Sequence, residues 1–183
     1  MRRDFLWHGA QLDSACPIGY NKRKTTGGRT MNDVMTVAAY IYDRYQREFE
    51  EKIDEMKLHK LMYFAQRESL IRSDKPLFQA DFYGWRFGPV LKELRTPYKE
   101  ESFDVNVTDE DMGADKELLD LIFRDYAPKD AWSLSRLTHG EICWKRSRKG
   151  ISPYESSDNM IPLDDIRMDA RRIRERREMF SQM

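Results

Sequence analysis

Cysteine is scarce in this chain: Cys16 and Cys143 are the only thiols among 183 residues, and neither has a C-x-x-C neighbour. That excludes a disulfide framework and a cysteine-built zinc site as organising principles, and the usage fits a reducing compartment. Histidine is equally sparse, at His8, His59 and His139. No run approaches the ~18 apolar residues of a membrane span, and Phe5-Leu6-Trp7 is too short for a signal-peptide core behind Arg2 and Arg3. The reading is a cytoplasmic protein without a membrane partner. An excess of one charge is missing too: 32 Lys and Arg balance 32 Asp and Glu. A net charge of zero argues against a general binder of nucleic acid or of anionic membrane. Gly-rich phosphate loops, the G-x-S-x-G elbow and H-E-x-x-H do not occur.

What is present is charge and aromatic bulk. Charged residues make up 35% of the chain, which suits a helix-rich protein with solvated faces, and a hydrophobic content of 40% is enough for one core. Residues 1–31 lack apolar periodicity and carry Arg2, Arg3, Lys22, Arg23, Lys24 and Arg29 against Asp4 and Asp13. They read as a flexible basic leader, with a nucleic-acid arm as the functional alternative and Met31 as an alternative start. From Asn32, the spacing of Val34, Val37, Ala38, Ile41, Tyr42, Tyr45 and Phe49 predicts an amphipathic helix. Asp54 caps a second helix, EMKLHKLMYFAQRESLIRSD, whose apolar positions almost circle it and make it central. Phe103, Val105 and Val107 alternate like a short strand. Leu118 to Tyr126 predicts another helix, ended by Pro128. Asp130 caps a short one over 131–137, and Ile142–Arg148 adds one or two turns. Residues 150–160 read as a loop. Pro162 opens a last helix whose stripe of Ile166, Ala170, Ile173 and Phe180 is narrow, so weak docking on the surface is expected.

The most informative stretch is PLFQADFYGWRFGPVLKELRTPY, Pro76 to Tyr98. Period-two spacing of Phe78, Phe82, Tyr83, Trp85 and Phe87 predicts a strand with two apolar faces, stopped by Gly88-Pro89. Val90, Leu91 and Leu94 then predict a short helix ended by Pro97. A strand apolar on both faces must be covered twice or offer one side to a partner. Trp85 and Phe87 are expected to pack between the Leu58–Ala65 helix and the turn before Trp144, with partner contact at the strand's exposed edge. The fold class is therefore mainly α with a small β element (α+β): a compact helical domain over 32–160 with a short antiparallel hairpin or sheet. A charged amphipathic surface helix follows over 161–183.

Catalytic sets do not assemble. His139 and Glu141 form H-x-E, part of the zinc-deaminase signature, without the P-C-x-x-C that completes it. His139 and Cys143 are four residues apart, one helical turn, but no third orienting group or oxyanion device accompanies them. His59 reads as a hydrogen-bonded structural histidine. The run Arg171 to Arg177 is the best nucleic-acid candidate, although 162–183 also holds five acidic groups. These readings give no enzyme, no metal and no cofactor.

Three motifs carry a family resemblance: MKLHKLMYFAQ, then FYGWRFGPVLKEL, then LSRLTHGEICWKRSR. In this order, over about residues 33–150, they resemble the Panacea domain, the SocA-like antitoxin family also met as phage-associated GepA-type protein. The matching positions are Lys57, Leu58, Lys60, Leu61, Tyr63, Ala65 and Gln66, then Trp85, Gly88, Pro89 and Val90, then Thr138, His139 and Trp144. Arg86 and Glu141 lie within the motifs and complete the set of partner-binding candidates. Cys143 departs from the pattern, since the family commonly has Pro before this Trp. The resemblance implies an antitoxin that neutralises a cognate toxin by direct binding. Its SocA-like branch implies an adaptor delivering the toxin to a cytoplasmic protease, such as a Clp-type unfoldase. A nucleic-acid-binding regulator stands as the alternative from another class.

Overall fold

Asp33 begins the first helix because its carboxylate accepts the N–H groups of Met35 and Thr36 at 3.1 and 3.3 Å, donors that the helix itself leaves unpaired. The computed structural model describes residues 24–26, 29–104 and 106–182. Most of the expected leader, with His8 and Cys16, lies outside these residues, as does Val105. Within the leader's span, β1 (Lys24–Thr26) and β2 (Arg29–Met31) pair antiparallel, Lys24 opposite Met31. Helix α1 (Val34–Phe49) then buries the face its spacing announces, from Val34 through Ile41 to Tyr45.

Helix α2 (Glu55–Ser73) starts at Asp54, which accepts the Lys57 N–H at 3.0 Å. Every residue from Leu58 to Ile71 is buried, so the polar groups on it must find partners inside the protein. Gln66 holds the incoming chain with both ends of its amide, accepting from Leu77 N–H at 2.8 Å and donating to the Phe78 carbonyl at 3.0 Å. Ser69 donates to the Lys75 carbonyl at 2.8 Å. Asp74, in the left-handed region at φ 56°, ends the helix.

The aromatic run forms a hairpin rather than one strand and a helix. Strand β3 (Phe82–Trp85) turns at Arg86-Phe87 and returns as β4 (Gly88–Leu91), with Trp85 opposite Gly88 and Phe82 opposite Leu91. Gly88-Pro89 thus opens a strand instead of stopping one. Proline is admitted there because β4 is an edge strand, where a missing N–H on the outer side breaks no ladder. Gly88 has φ 107°, and a Cβ on it would stand 2.4 Å from Thr138 Oγ1 and 2.6 Å from Lys60 Cε. Only glycine allows that turn and that approach. A 3-10 turn, Lys92–Leu94, leads into α3 (Arg95–Glu100), and Pro97 sits in the first turn of α3 rather than after its end.

Phe103 and Val107 are buried but belong to no strand: Asp104 accepts the Asn106 N–H at 3.0 Å in a tight turn, and Thr108 caps α4 (Asp109–Met112). Helices α5 (Lys116–Asp125), α6 (Ala131–His139) and α7 (Ile142–Ser147) follow near their expected places. The stretch read as a loop ends in β5 (Met160–Ile161), which pairs with β3 and completes a three-stranded antiparallel sheet of order β4-β3-β5.

Helix α8 (Leu163–Ser181) lies on the surface but docks firmly, against the expectation of weak packing. It buries Ile166 and Ala170, and its arginines reach α2: Arg174 donates at 2.7 Å to the carbonyls of Leu70 and Ile71, and Arg177 donates twice to Glu68. The result is α+β, helices around one core with a small sheet on α2. Among the described residues, no helix is long and apolar enough to cross a membrane.

Candidate functional site

The three motifs meet at the β3–β4 hairpin. Lys60, fully buried, donates from Nζ to the Pro89 carbonyl at 3.0 Å. One position earlier on α2, His59 Nδ1 accepts the Leu91 N–H at 3.3 Å. Together they satisfy the outer edge of β4, so the edge expected to meet a partner is covered by α2. On the other flank, Ser135 donates to the Phe87 carbonyl at 2.9 Å, Trp144 Nε1–H donates to the Trp85 carbonyl at 2.9 Å, and Arg148 donates to the Gly84 carbonyl at 3.1 Å. A Cβ at Gly84 would lie 2.0 Å from Ser147 Oγ, which shows how closely α7 approaches β3.

The third motif is held from two sides. Arg67 forms a short buried ion pair with Glu141 and donates at 2.7 Å to the Tyr126 hydroxyl. Burial raises the Glu141 carboxyl above the usual carboxylate range while Arg67 pulls it back. Asp169, on α8 and 2% exposed, accepts the N–H groups of Ile142 and Cys143 at 2.9 and 2.8 Å and so caps α7 from a distant helix. Cys143 Sγ lies 3.1 Å from the Tyr63 hydroxyl, both buried, and burial pushes both groups up in pKa. His139 does not pair with Cys143. Its ring, kept neutral chiefly by burial, stacks on Trp144 with centroids 4.0 Å apart.

The motif residues therefore divide by where they face. Lys60, Tyr63, Gln66, Gly88, Pro89, Thr138 and Glu141 are buried, and the polar ones are engaged within the chain; Thr138 donates to the Ser135 carbonyl at 2.8 Å. Lys57 reaches the Tyr45 hydroxyl at 2.7 Å, away from the hairpin. His139 and Trp144 are half-buried. Trp85 and Phe87 do not fill the core as expected. Alternation along β3 turns Phe82 and Gly84 inward and Tyr83 and Trp85 outward. The Trp85 ring is half-exposed under the Arg95 guanidinium at 4.8 Å and donates to Asp158 at 3.2 Å, and Phe87 meets Trp132 edge-on at 5.2 Å. Arg86 is exposed and stacks on Phe87 and Tyr154 at 4.9 and 5.4 Å.

Sequence reasoning did not single out Trp132 and Tyr154, exposed by 60% and 80%, or the anchoring roles of Arg67, Arg148 and Asp169. Among the described residues, no group of three or more His, Cys, Asp or Glu is placed to hold a metal ion.

Residues 58–145, just under half of the chain, match the family model described as antitoxin SocA-like, Panacea domain. The match covers the second motif whole and most of the first and third, leaving Met56 and Lys57 outside at one end and Arg146, Ser147 and Arg148 outside at the other. No curated protein and no solved structure matches the chain.

Proposed function

We propose that this chain is an antitoxin that neutralises a cognate toxin in the cytoplasm by direct protein–protein binding. The family match over residues 58–145 carries the reading, because that family is described by its antitoxin role and an antitoxin implies a toxin partner. The family is not a known enzyme family, which favours binding over turnover. The exposed aromatics Phe87, Trp132 and Tyr154 supply the kind of surface on which protein partners are held. Within the run open to a nucleic-acid reading, Arg174 and Arg177 fasten α8 to α2, while Arg171 and Arg172 lie 3.7 Å from Asp74 and Asp169, respectively.

The test is co-expression with the product of the neighbouring reading frame. Growth arrest by that product alone, relieved when this chain is present, is expected; a product harmless with and without it ends the reading. Toxin half-life separates the two routes to neutralisation. An unchanged half-life goes with sequestration, and a shortened one with delivery to a Clp-type protease.

A further inference from the structure

A cavity of about 650 Å³ opens between the first turn of α2 and the β3–β4 hairpin, with Met56, Trp85 and Val90 among its apolar walls and Arg86 and Tyr154 beside them. This volume falls in the range of roughly 300–1,000 Å³ that binding clefts occupy. The cavity's polar lining is lopsided. Because His59 Nδ1 accepts the Leu91 N–H, the neutral ring carries its proton on Nε2. His59 is 3% exposed and that Nε2 has no hydrogen-bond partner; the nearest carboxylate oxygen, Glu55 Oε1, stands 3.7 Å away, beyond hydrogen-bond reach. That Nε2 is itself shielded from solvent, so it adds positive character to the cavity wall rather than an open contact.

Two further donors share the imbalance. Lys60 lines the same cavity with its Nζ bonded to a carbonyl rather than a carboxylate. Arg86 stacks on aromatic rings and has no carboxylate partner among the described residues. The carboxylates on the cavity wall are already paired, Glu55 with Arg95 at 3.1 Å and Asp158 with Lys92. An apolar trough thus sits among donors that lack an anion. Phe87 and Trp132 extend its apolar surface onto α6.

Resting on the antitoxin reading, we propose that the toxin docks here through a segment presenting an apolar or aromatic side chain beside a carboxylate. The side chain lies against Met56, Trp85 and Val90; the carboxylate accepts from the exposed Arg86 at the rim. Complementary charge at the rim, with aromatic and arginine anchors at the centre, is the arrangement that concentrates binding energy in protein interfaces.

Calorimetric titration of the purified toxin from the neighbouring frame into the full chain tests this. Arg86→Glu and Tyr154→Ala alter exposed side chains, so each keeps the wild-type melting temperature and weakens binding at least ten-fold. A carboxylate-to-arginine change in the toxin restores affinity to Arg86→Glu, which a merely structural role for Arg86 would not produce. Wild-type affinity in both variants overturns the docking site and leaves the antitoxin reading standing. No binding by the wild-type chain overturns that reading and the docking site with it. Variants that lose only self-association assign the cavity to a second copy of this chain, which also overturns the proposal.

Discussion

Trp144 gives its indole N–H to the main-chain carbonyl of Trp85 at 2.9 Å, so the last family motif holds the second by its backbone and leaves the Trp85 ring outside. Substitution should separate the two roles. Trp85→Ala removes a half-exposed ring and is expected to fold with a loss of about 1–2 kcal/mol. Phe82→Ala empties a core site that is 1% exposed and should lose about 3–5 kcal/mol. Urea unfolding of both variants checks the order, and a Trp85→Ala chain that fails to fold would show that the ring belongs to the core after all.

Asp169 supplies the cap that α7 lacks locally. Asp169→Ala leaves two N–H groups unpaired where the carboxylate sat, and about 2–4 kcal/mol of stability should be lost. Asp169→Asn retains an acceptor and should lose less. Equal losses by chemical denaturation would mean that the single neutral acceptor retained by asparagine contributes nothing.

Little of this was readable from local pattern, and the reason is distance along the chain. Asp54 and Asp130 act within three residues of themselves, so the starts of α2 and α6 were legible as caps, while α1 was legible from its apolar spacing. Asp169 acts 26 and 27 positions away, and Arg174 and Arg177 act 103 to 109 positions away, where no periodicity points. A short antiparallel hairpin was expected, but its return strand was not placed because Gly-Pro reads as a breaker; the approach of Lys60 and Thr138 explains why a glycine must start β4. The motifs were read from local pattern, but the sequence could not say that most of their residues face inward.

Gly88→Ala tests that approach. The positive φ and the 2.4 Å clash with Thr138 Oγ1 act together, so a loss of about 2–4 kcal/mol is expected. A thermal midpoint within a degree or two of wild type would mean that α6 yields easily.

Lys60 gives a pH signature with a definite sign. Burial pushes its pKa from 10.5 down to about 7. Between those values the unfolded chain binds a proton that the folded chain does not, so the contribution of Lys60 to stability grows as pH rises from 7 towards 10. Lys60→Met lacks this term, whereas Tyr63 and Cys143 titrate alike in both proteins and cancel. The melting temperature of wild type relative to Lys60→Met should rise between pH 7 and pH 9; a constant difference would place Lys60 among ordinary lysines.

The union of Glu68 with Arg177 also orders events in time. Glu68 is made early and sits on the helix at the centre of the core, yet the pair of hydrogen bonds it accepts from Arg177 must wait for 109 further residues. Until α8 emerges from the ribosome, α7 has no cap and the end of α2 has open carbonyls. The nascent chain is therefore expected to stay sensitive to protease through most of its synthesis and to close late, a delay that pulse proteolysis of stalled ribosome complexes can follow.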